Sequence, residues 1–219
     1  MSSSLFEGYL VTSPYGNRPD PFGSGKTEFH KGIDLVKSHK APIYAFVSGK
    51  IIHAKMGVSN SGFGDYGIVV AVLDKYGALH VYAHLDSASV AVGDTVVKGQ
   101  EVGRQGTTGM STGSHLHYEV RKESTTRFGY GSHVNPTNYL ISYQQKEEEI
   151  EMEELKKQLA EAIARITELE KNQSMAAPPE WAKEAVAAAV AAGVLAEPNG
   201  GSWDFYRMIT IMHRITIFK

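Results

Sequence analysis

The chain has no cysteine, and that one absence excludes disulfides, thiolate metal sites and cysteine nucleophiles together. Any metal must therefore be held by His, Asp or Glu. No run approaches the roughly 18 uninterrupted apolar residues that a bilayer-spanning helix needs. Met1 to Leu10 lacks both a basic segment and an apolar segment, so nothing there reads as a secretion signal, and synthesis is expected to end in a cytoplasm. Neither sign of charge dominates: residues 1–141 carry 13 Lys and Arg against 11 Asp and Glu, residues 142–219 carry 9 against 13, and +2 with −4 gives the net −2. Phosphate neutralisation needs a concentrated basic face, so nucleic acid is not an expected partner. A hydrophobic content of 42% is ordinary for a globular chain.

What is present is unevenly placed. Nineteen of the 22 glycines precede residue 141 and punctuate short β-rich runs. Strands are expected at Ile43 to Ala54, Gly67 to Leu73, Leu79 to Leu85, Thr95 to Val97 and His115 to Arg121. Their connections are too short for helical crossovers, so residues 1–142 should form a mainly β, compact antiparallel domain. From Tyr143 glycine vanishes until Gly193, and Lys146 to Lys171 holds nine Glu and five Lys or Arg in 26 residues, a helical composition. Met152, Leu155, Leu159, Ala162, Ile166 and Leu169 alternate spacings of three and four, the seam of a coiled coil. The linker over 143–173 is thus a helix whose seam admits either a solvated spacer or a homodimer. Pro178-Pro179 stops it. Residues 174–219 should form a small helical module, with helices at Trp181 to Ala192 and Asp204 to Ile215 and Gly193 as a C-cap. Its expected core is Trp181, Val186, Val190, Phe205, Ile209 and Met212.

Eight of the nine histidines fall in the β-rich part. Three groups stand out: His30-Lys31-Gly32-Ile33-Asp34, Tyr82-Ala83-His84-Leu85 and His115-Leu116-His117. Residues two apart on a strand share a face, so His115 and His117 can reach one cavity while Leu116 turns to the core. Catalytic zinc takes three protein ligands and keeps one open position, a requirement met by His30, Asp34 and one of the His115/His117 pair. No H-E-x-x-H helix is present, so a glutamate base of that kind is not expected. By alternation His80 shares a face with His84. Glu119, two beyond His117, reads either as support for the metal site or as half of a cross-strand salt bridge. His39, His53, His80, His133 and His213 lack a partner at ligand spacing and read as structural or surface residues. The glycine-rich loop Gly62 to Gly67 suits a peptide groove or an ordinary turn.

Taken with Thr12-Ser13-Pro14-Tyr15-Gly16-Asn17-Arg18 and the glycine- and threonine-rich approach Gly106 to Ser114, these groups resemble the lysostaphin-type, LytM-like zinc endopeptidases that cut peptide cross-links in bacterial cell walls. The resemblance covers roughly residues 8–141. It implies Zn2+ as cofactor, His30, Asp34 and His117 as its ligands, and His84 and His115 as catalytic residues. Ser114 stands where many relatives have proline, a departure expected to loosen that turn. Trp181 to Val186, Gly193-Val194-Leu195, Tyr206-Arg207-Met208 and Met212-His213-Arg214 resemble the surface-layer-homology-like helical modules attached to some phage lysins, which implies cell-wall anchoring. The implied function is a zinc-dependent peptidoglycan endopeptidase, and because Met1 to Leu10 reads as no secretion signal it is expected to be a phage endolysin held in the host bacterial cytoplasm until released to the wall. The rival is a non-catalytic wall-binding or regulatory protein on the same fold.

Overall fold

The computed structural model describes residues 5–173, 175–215 and 217, with the side chains of 170–173 excepted. Residues 1–4 of the segment read for secretion, and residues 174, 216, 218 and 219 of the expected module, lie outside the described residues. The chain divides into two compact units, Met1–Glu147 and Glu148–Lys219.

The first unit is built from short antiparallel strands: β1 (Leu10–Ser13), β2 (Gly16–Pro19), β3 (Thr27–His30), β4 (Ile33–Val36), β5 (Pro42–Tyr44), β6 (Gly49–Met56), β7 (Ile68–Asp74), β8 (Leu79–Leu85), β9 (Ser87–Ala88), β10 (Thr95–Val96), β11 (Glu101–Arg104), β12 (Leu116–Arg121) and β13 (His133–Val134). The main sheet runs β1-β4-β12-β8-β7-β6-β10, with β13 also on β12, while β5-β11-β9 and β2-β3 form smaller sheets. The expected strand Ile43 to Ala54 is broken into β5 and β6, which lie in different sheets. Between them Ala45 and Val47 are buried in the core, so the apolar run is continuous although the strand is not.

One face of the main sheet carries Leu35, Val70, Val72, Tyr82, Leu116, Tyr118 and Val120, packed with Ile43 and Val102 of the small sheet. The other carries Val69, Ala71, Leu79, Val81 and Ala83, packed with Phe63. Burial on both faces explains why β8 is buried at every position from Leu79 to Leu85.

The long helix α1 (Pro136–Gln173) starts seven residues before the expected Tyr143. Asn135 Oδ1 accepts from the amides of Thr137 and Asn138 at 3.0 and 3.4 Å, and Pro136 takes the first helical position, where its missing N–H costs nothing. Leu140 and Tyr143 of this early part are buried in the first unit's core.

In the second unit α2 (Lys183–Ala191) follows a 3₁₀ turn at Glu180–Ala182, and α3 is Trp203–Arg214. Gly193 ends α2 at φ 70°, with Val194 N bonding Ala189 O at 2.9 Å and Gly193 N bonding Val190 O at 3.0 Å, a Schellman cap. Ala182, Ala185, Val186 and Ala189 pack on Tyr206 and Ile209. Trp181 and Val190, expected in this core, are both 41% exposed, because the alanine face is what lets α3 approach.

Candidate metal centre

Strand register places the acidic member of the site. β4 pairs β12 with Asp34 directly opposite His117. His30 ends β3, and the two-residue turn Lys31-Gly32 carries the chain from β3 into β4. Gly32 makes that turn possible: a Cβ there would meet Tyr118 O at 2.5 Å and His117 Cε1 at 2.7 Å. Three donor atoms converge. His30 Nε2 lies 3.1 Å from Asp34 Oδ1, His117 Nδ1 lies 3.0 Å from that oxygen, and the two nitrogens are 3.0 Å apart.

The arrangement fits a tetrahedral metal on its own chemistry. His30 Nδ1–H donates to Pro14 O at 2.9 Å, so the nitrogen left to face the lone pairs of Asp34 Oδ1 is Nε2. Such a pair repels unless a proton or a cation lies between. Ligands about 2.0–2.1 Å from a tetrahedral ion sit about 3.3 Å from one another, close to the separations found. His30, Asp34 and His117 are the group of buried donors that can hold an ion among the described residues. His117 Nε2, on the side of the ring away from Asp34, is buried without a hydrogen-bond partner.

The surrounding charges are arranged for the same three side chains. Burial alone would raise the Asp34 carboxyl, but hydrogen bonds and charge from His117 and His30 hold it well below the usual carboxylate range. Burial alone would lower His117, yet Asp34 and Glu119 lift it to about 8. Glu119 Oε2 lies 3.8 Å from His117 Nε2, beyond hydrogen-bond reach, and acts on it as a charge. Glu119 also pairs with Arg121 at 3.0 Å and accepts from Tyr66 OH at 2.7 Å; its salt bridge therefore runs along β12 and not across to a neighbouring strand as expected. Arg18 grips the other oxygen of the metal-site carboxylate, Nη1 to Asp34 Oδ2 at 2.7 Å, and is itself held by Glu28 and Ser13.

His84 reaches the site through a β-bulge. β7 and β8 pair Val70 with Tyr82 but Ile68 with Leu85, so one extra residue of β8 is inserted, and His84 sits there at φ 59°. The bulge inverts which side each later residue faces. Leu79, Val81 and Ala83 line one core, yet Leu85 lines the opposite one. His84 therefore stands beside His117 and His115, ring centroids 5.9 and 4.9 Å away, while His80 lies on the other face against Tyr118. Strand alternation had put His80 and His84 together; the left-handed residue separates them. Burial, aided by the charge of His117, lowers His84 to about 4.

His115 precedes β12 on an isolated bridge to Gly106, with Nε2 3.5 Å from Asp34 Oδ1. His84 Nδ1 bonds Thr108 O and His115 Nδ1 bonds Gly113 O, both at 2.8 Å, so each ring keeps Nε2 for proton exchange. The Ser114 turn, expected to be loose, is tied instead: Ser114 Oγ contacts His39 Nδ1 at 3.0 Å, and buried Gln105 Nε2 donates to Ser114 O at 3.2 Å. His53 Nε2 bonds Lys55 O, and His133 accepts from Tyr15 OH, both apart from the convergent donors. Two cavities open here, one of about 220 Å³ against Phe29, Lys31, Tyr66, His84 and His117, the other of about 550 Å³ against Asp34, Thr112 and His115, and Arg18 borders both.

Residues 28–136, the stretch that contains all five side chains, match the model of peptidase family M23. The catalytic domain of the antimicrobial peptidase lysostaphin from Staphylococcus simulans superposes with a TM-score of 0.53 at 30% identity, covering 64% of this chain and 97% of that one. The chain belongs to peptidase family M23. Lysostaphin of Staphylococcus staphylolyticus is 38% identical over 106 residues, 48% of this chain and 21% of its own length. The DD-carboxypeptidase/endopeptidase Mpg of Neisseria meningitidis is 34% identical over 131 residues, 60% of this chain and 27% of its own. The chain thus spans only about a fifth to a quarter of these curated M23 relatives. Arg18, Tyr66 and Gln105 are the contributors to the site that pattern reading left without a role. For Arg18 the signal was its place in the segment Thr12 to Arg18 and for Tyr66 its place in the loop Gly62 to Gly67; for Gln105 there was none.

Proposed function

We propose that this chain is a zinc-dependent peptidoglycan endopeptidase that cleaves peptide cross-links of bacterial cell walls. The observation that carries the reading is the convergence of His30 Nε2, Asp34 Oδ1 and His117 Nδ1 at separations of 3.0 to 3.1 Å beside two further histidines. Zinc held by these three supplies a Lewis acid for a peptide carbonyl and for water. His84 and His115, each fixed through Nδ1 on a backbone carbonyl, use Nε2 to take a proton from the attacking water and return it to the leaving amide nitrogen. Arg18 fixes the Asp34 carboxylate so that Oδ1 faces the two imidazoles. A peptide lying through both cavities crosses the convergent donors, with Phe29 and Tyr66 along its path.

Wall anchoring by the second unit is the further part of the proposal, supported by its separate core and by an open cleft of about 510 Å³ where Trp181 and Trp203 meet edge to face at 5.2 Å beside Arg207 and Arg214. A phage endolysin is the finer form of the proposal, in keeping with the resemblance of these helices to modules of phage lysins. Digestion of purified walls of known cross-link type, with mass spectrometry of the products, tests the activity and reads the bond cut. Products cleaved within peptide cross-links, lost on chelation and regained with zinc, are expected. Intact cross-links after prolonged digestion by zinc-loaded protein overturn the proposal.

A further inference from the structure

The helix α1 leaves an apolar seam uncovered. Met152, Leu155, Leu159, Ile166 and Leu169 are 52 to 59% exposed, and Ala162 between them is exposed as well. They occupy the a positions (Met152, Leu159, Ile166) and d positions (Leu155, Ala162, Leu169) of three heptads. Upstream the repeat ends abruptly, since the preceding a and d positions are Gln145 and Glu148. Ile150 and Ile163 are exposed off this seam, but only the a and d residues form a continuous stripe, and an apolar stripe of fixed length bounded by polar residues calls for an occupant with the same repeat.

We propose that this occupant is α1 of a second copy, paired as a parallel, in-register, two-stranded coiled coil. The flanking charges choose the orientation. In a parallel pair a g residue faces the e residue five positions later on the other helix, which brings Glu151 against Lys156 of the second copy, twice by symmetry. An antiparallel pair with Met152 opposite Leu169 brings Lys156 against Ile163 and Gln158 against Arg165, and matches no opposite charges. Of the a residues only Ile166 is β-branched, and with Leu155 and Leu169 at d it is the one that favours two strands over three. The pairing brings two second units onto one stem. Two weak binding modules joined this way hold a polymeric surface more tightly than one, without any new contact to it.

The absence of cysteine makes the test direct, because one introduced thiol has no competitor. Sedimentation equilibrium of the full chain should show a monomer–dimer equilibrium in the micromolar range. Leu159→Glu should abolish it while helix content by circular dichroism holds, since Leu159 is exposed in the single chain and belongs to neither unit's core. Lys156→Glu should weaken pairing roughly tenfold by turning two attractions into repulsions, and the exchange Glu151→Lys with Lys156→Glu should restore it. Met152→Cys alone should form an intermolecular disulfide under mild oxidation, as like residues abut only in a parallel, in-register pair. A wild-type chain that stays monomeric overturns the pairing. A trimer overturns the strand number. Cross-linking that requires Met152→Cys together with Leu169→Cys overturns the orientation.

Discussion

The main sheet holds two buried histidine–aspartate pairs, one on each face, and they are finished in opposite ways. His80 donates Nε2–H to Asp74 Oδ2 at 3.1 Å and accepts from Tyr118 OH at 2.6 Å. Tyr139 OH donates to the same Asp74 oxygen at 2.6 Å, and the amides of Tyr76 and Ala78 satisfy Oδ1. Each polar atom of that pair has a partner, and the side chains are sealed from solvent. On the other face His30 Nε2, His117 Nδ1 and Asp34 Oδ1 converge at 3.0 to 3.1 Å from one another and border two cavities. A closed network ties α1 to the sheet; an open one offers three donors that could hold a cation. Burial and a nearby carboxylate alone do not separate the two, whereas the convergence of three donor atoms does.

The strongest way to break this contrast is to remove a convergent donor. His30→Ala or Asp34→Ala should abolish stoichiometric zinc, measured by elemental analysis of the folded protein, and lower wall hydrolysis at least about a thousandfold. His80→Ala should leave zinc content unchanged. Full zinc occupancy in a His30→Ala, Asp34→Ala double variant would falsify the ligand set. A next step separates His115 from its neighbour. His115→Ala and His84→Ala should each keep the metal while turnover falls by about 10²–10⁴, the usual worth of a general acid or base. If His115→Ala loses metal and His117→Ala retains it, the two roles must be exchanged.

Much of this site could be read before any coordinates, because its geometry is local. His115-Leu116-His117 obeys strand alternation, and Leu116 is indeed fully buried. His30 and Asp34 are linked by a turn whose glycine stands in the motif itself. The placement of His84 was not readable, since one left-handed residue in a strand leaves no mark in the pattern of side chains. Arg18 joins Asp34 through β2 and β3, whose sequences Gly16 to Pro19 and Thr27 to His30 are too polar and short to announce strands. The helix start was legible in Asn135-Pro136 and was missed because composition changes later, at Tyr143. In the second unit apolar size misled: tryptophan looked like core, but small alanines set the distance between helices.

A smaller effect falls on the closed pair. Asp74→Asn keeps the shape but removes the charge that His80 and Tyr139 address, and it should cost about 3 kcal/mol of stability, as expected when one partner of a buried pair is lost. Urea unfolding gives the value, and zinc bound per folded molecule should not change. A variant as stable as the parent would show that the network contributes little. A variant that also loses zinc would show that the two faces are coupled.

The smallest expected effect is on the pH dependence of stability, and it distinguishes the pairs without touching activity. Burial, opposed by Asp74, lowers His80 from its ordinary value. The unfolded chain therefore takes up a proton on His80 near about pH 6.5, before the folded chain does. The stability that His80 contributes is complete above that pH and is lost as the pH falls toward the lower folded value. Asp74, held low by His80 and Tyr139 despite its burial, adds a second loss that begins only below about pH 4. Thermal unfolding of chelated protein, followed from neutral pH to mild acid, should show Tm falling, and His80→Gln should flatten that slope whatever it does to Tm at neutral pH. Some slope should persist, because burial also lowers His53, His84 and His133. An unchanged slope in His80→Gln would mean that His80 is not held neutral in the folded chain, and the sealed pair would lose the distinction drawn between it and the metal site.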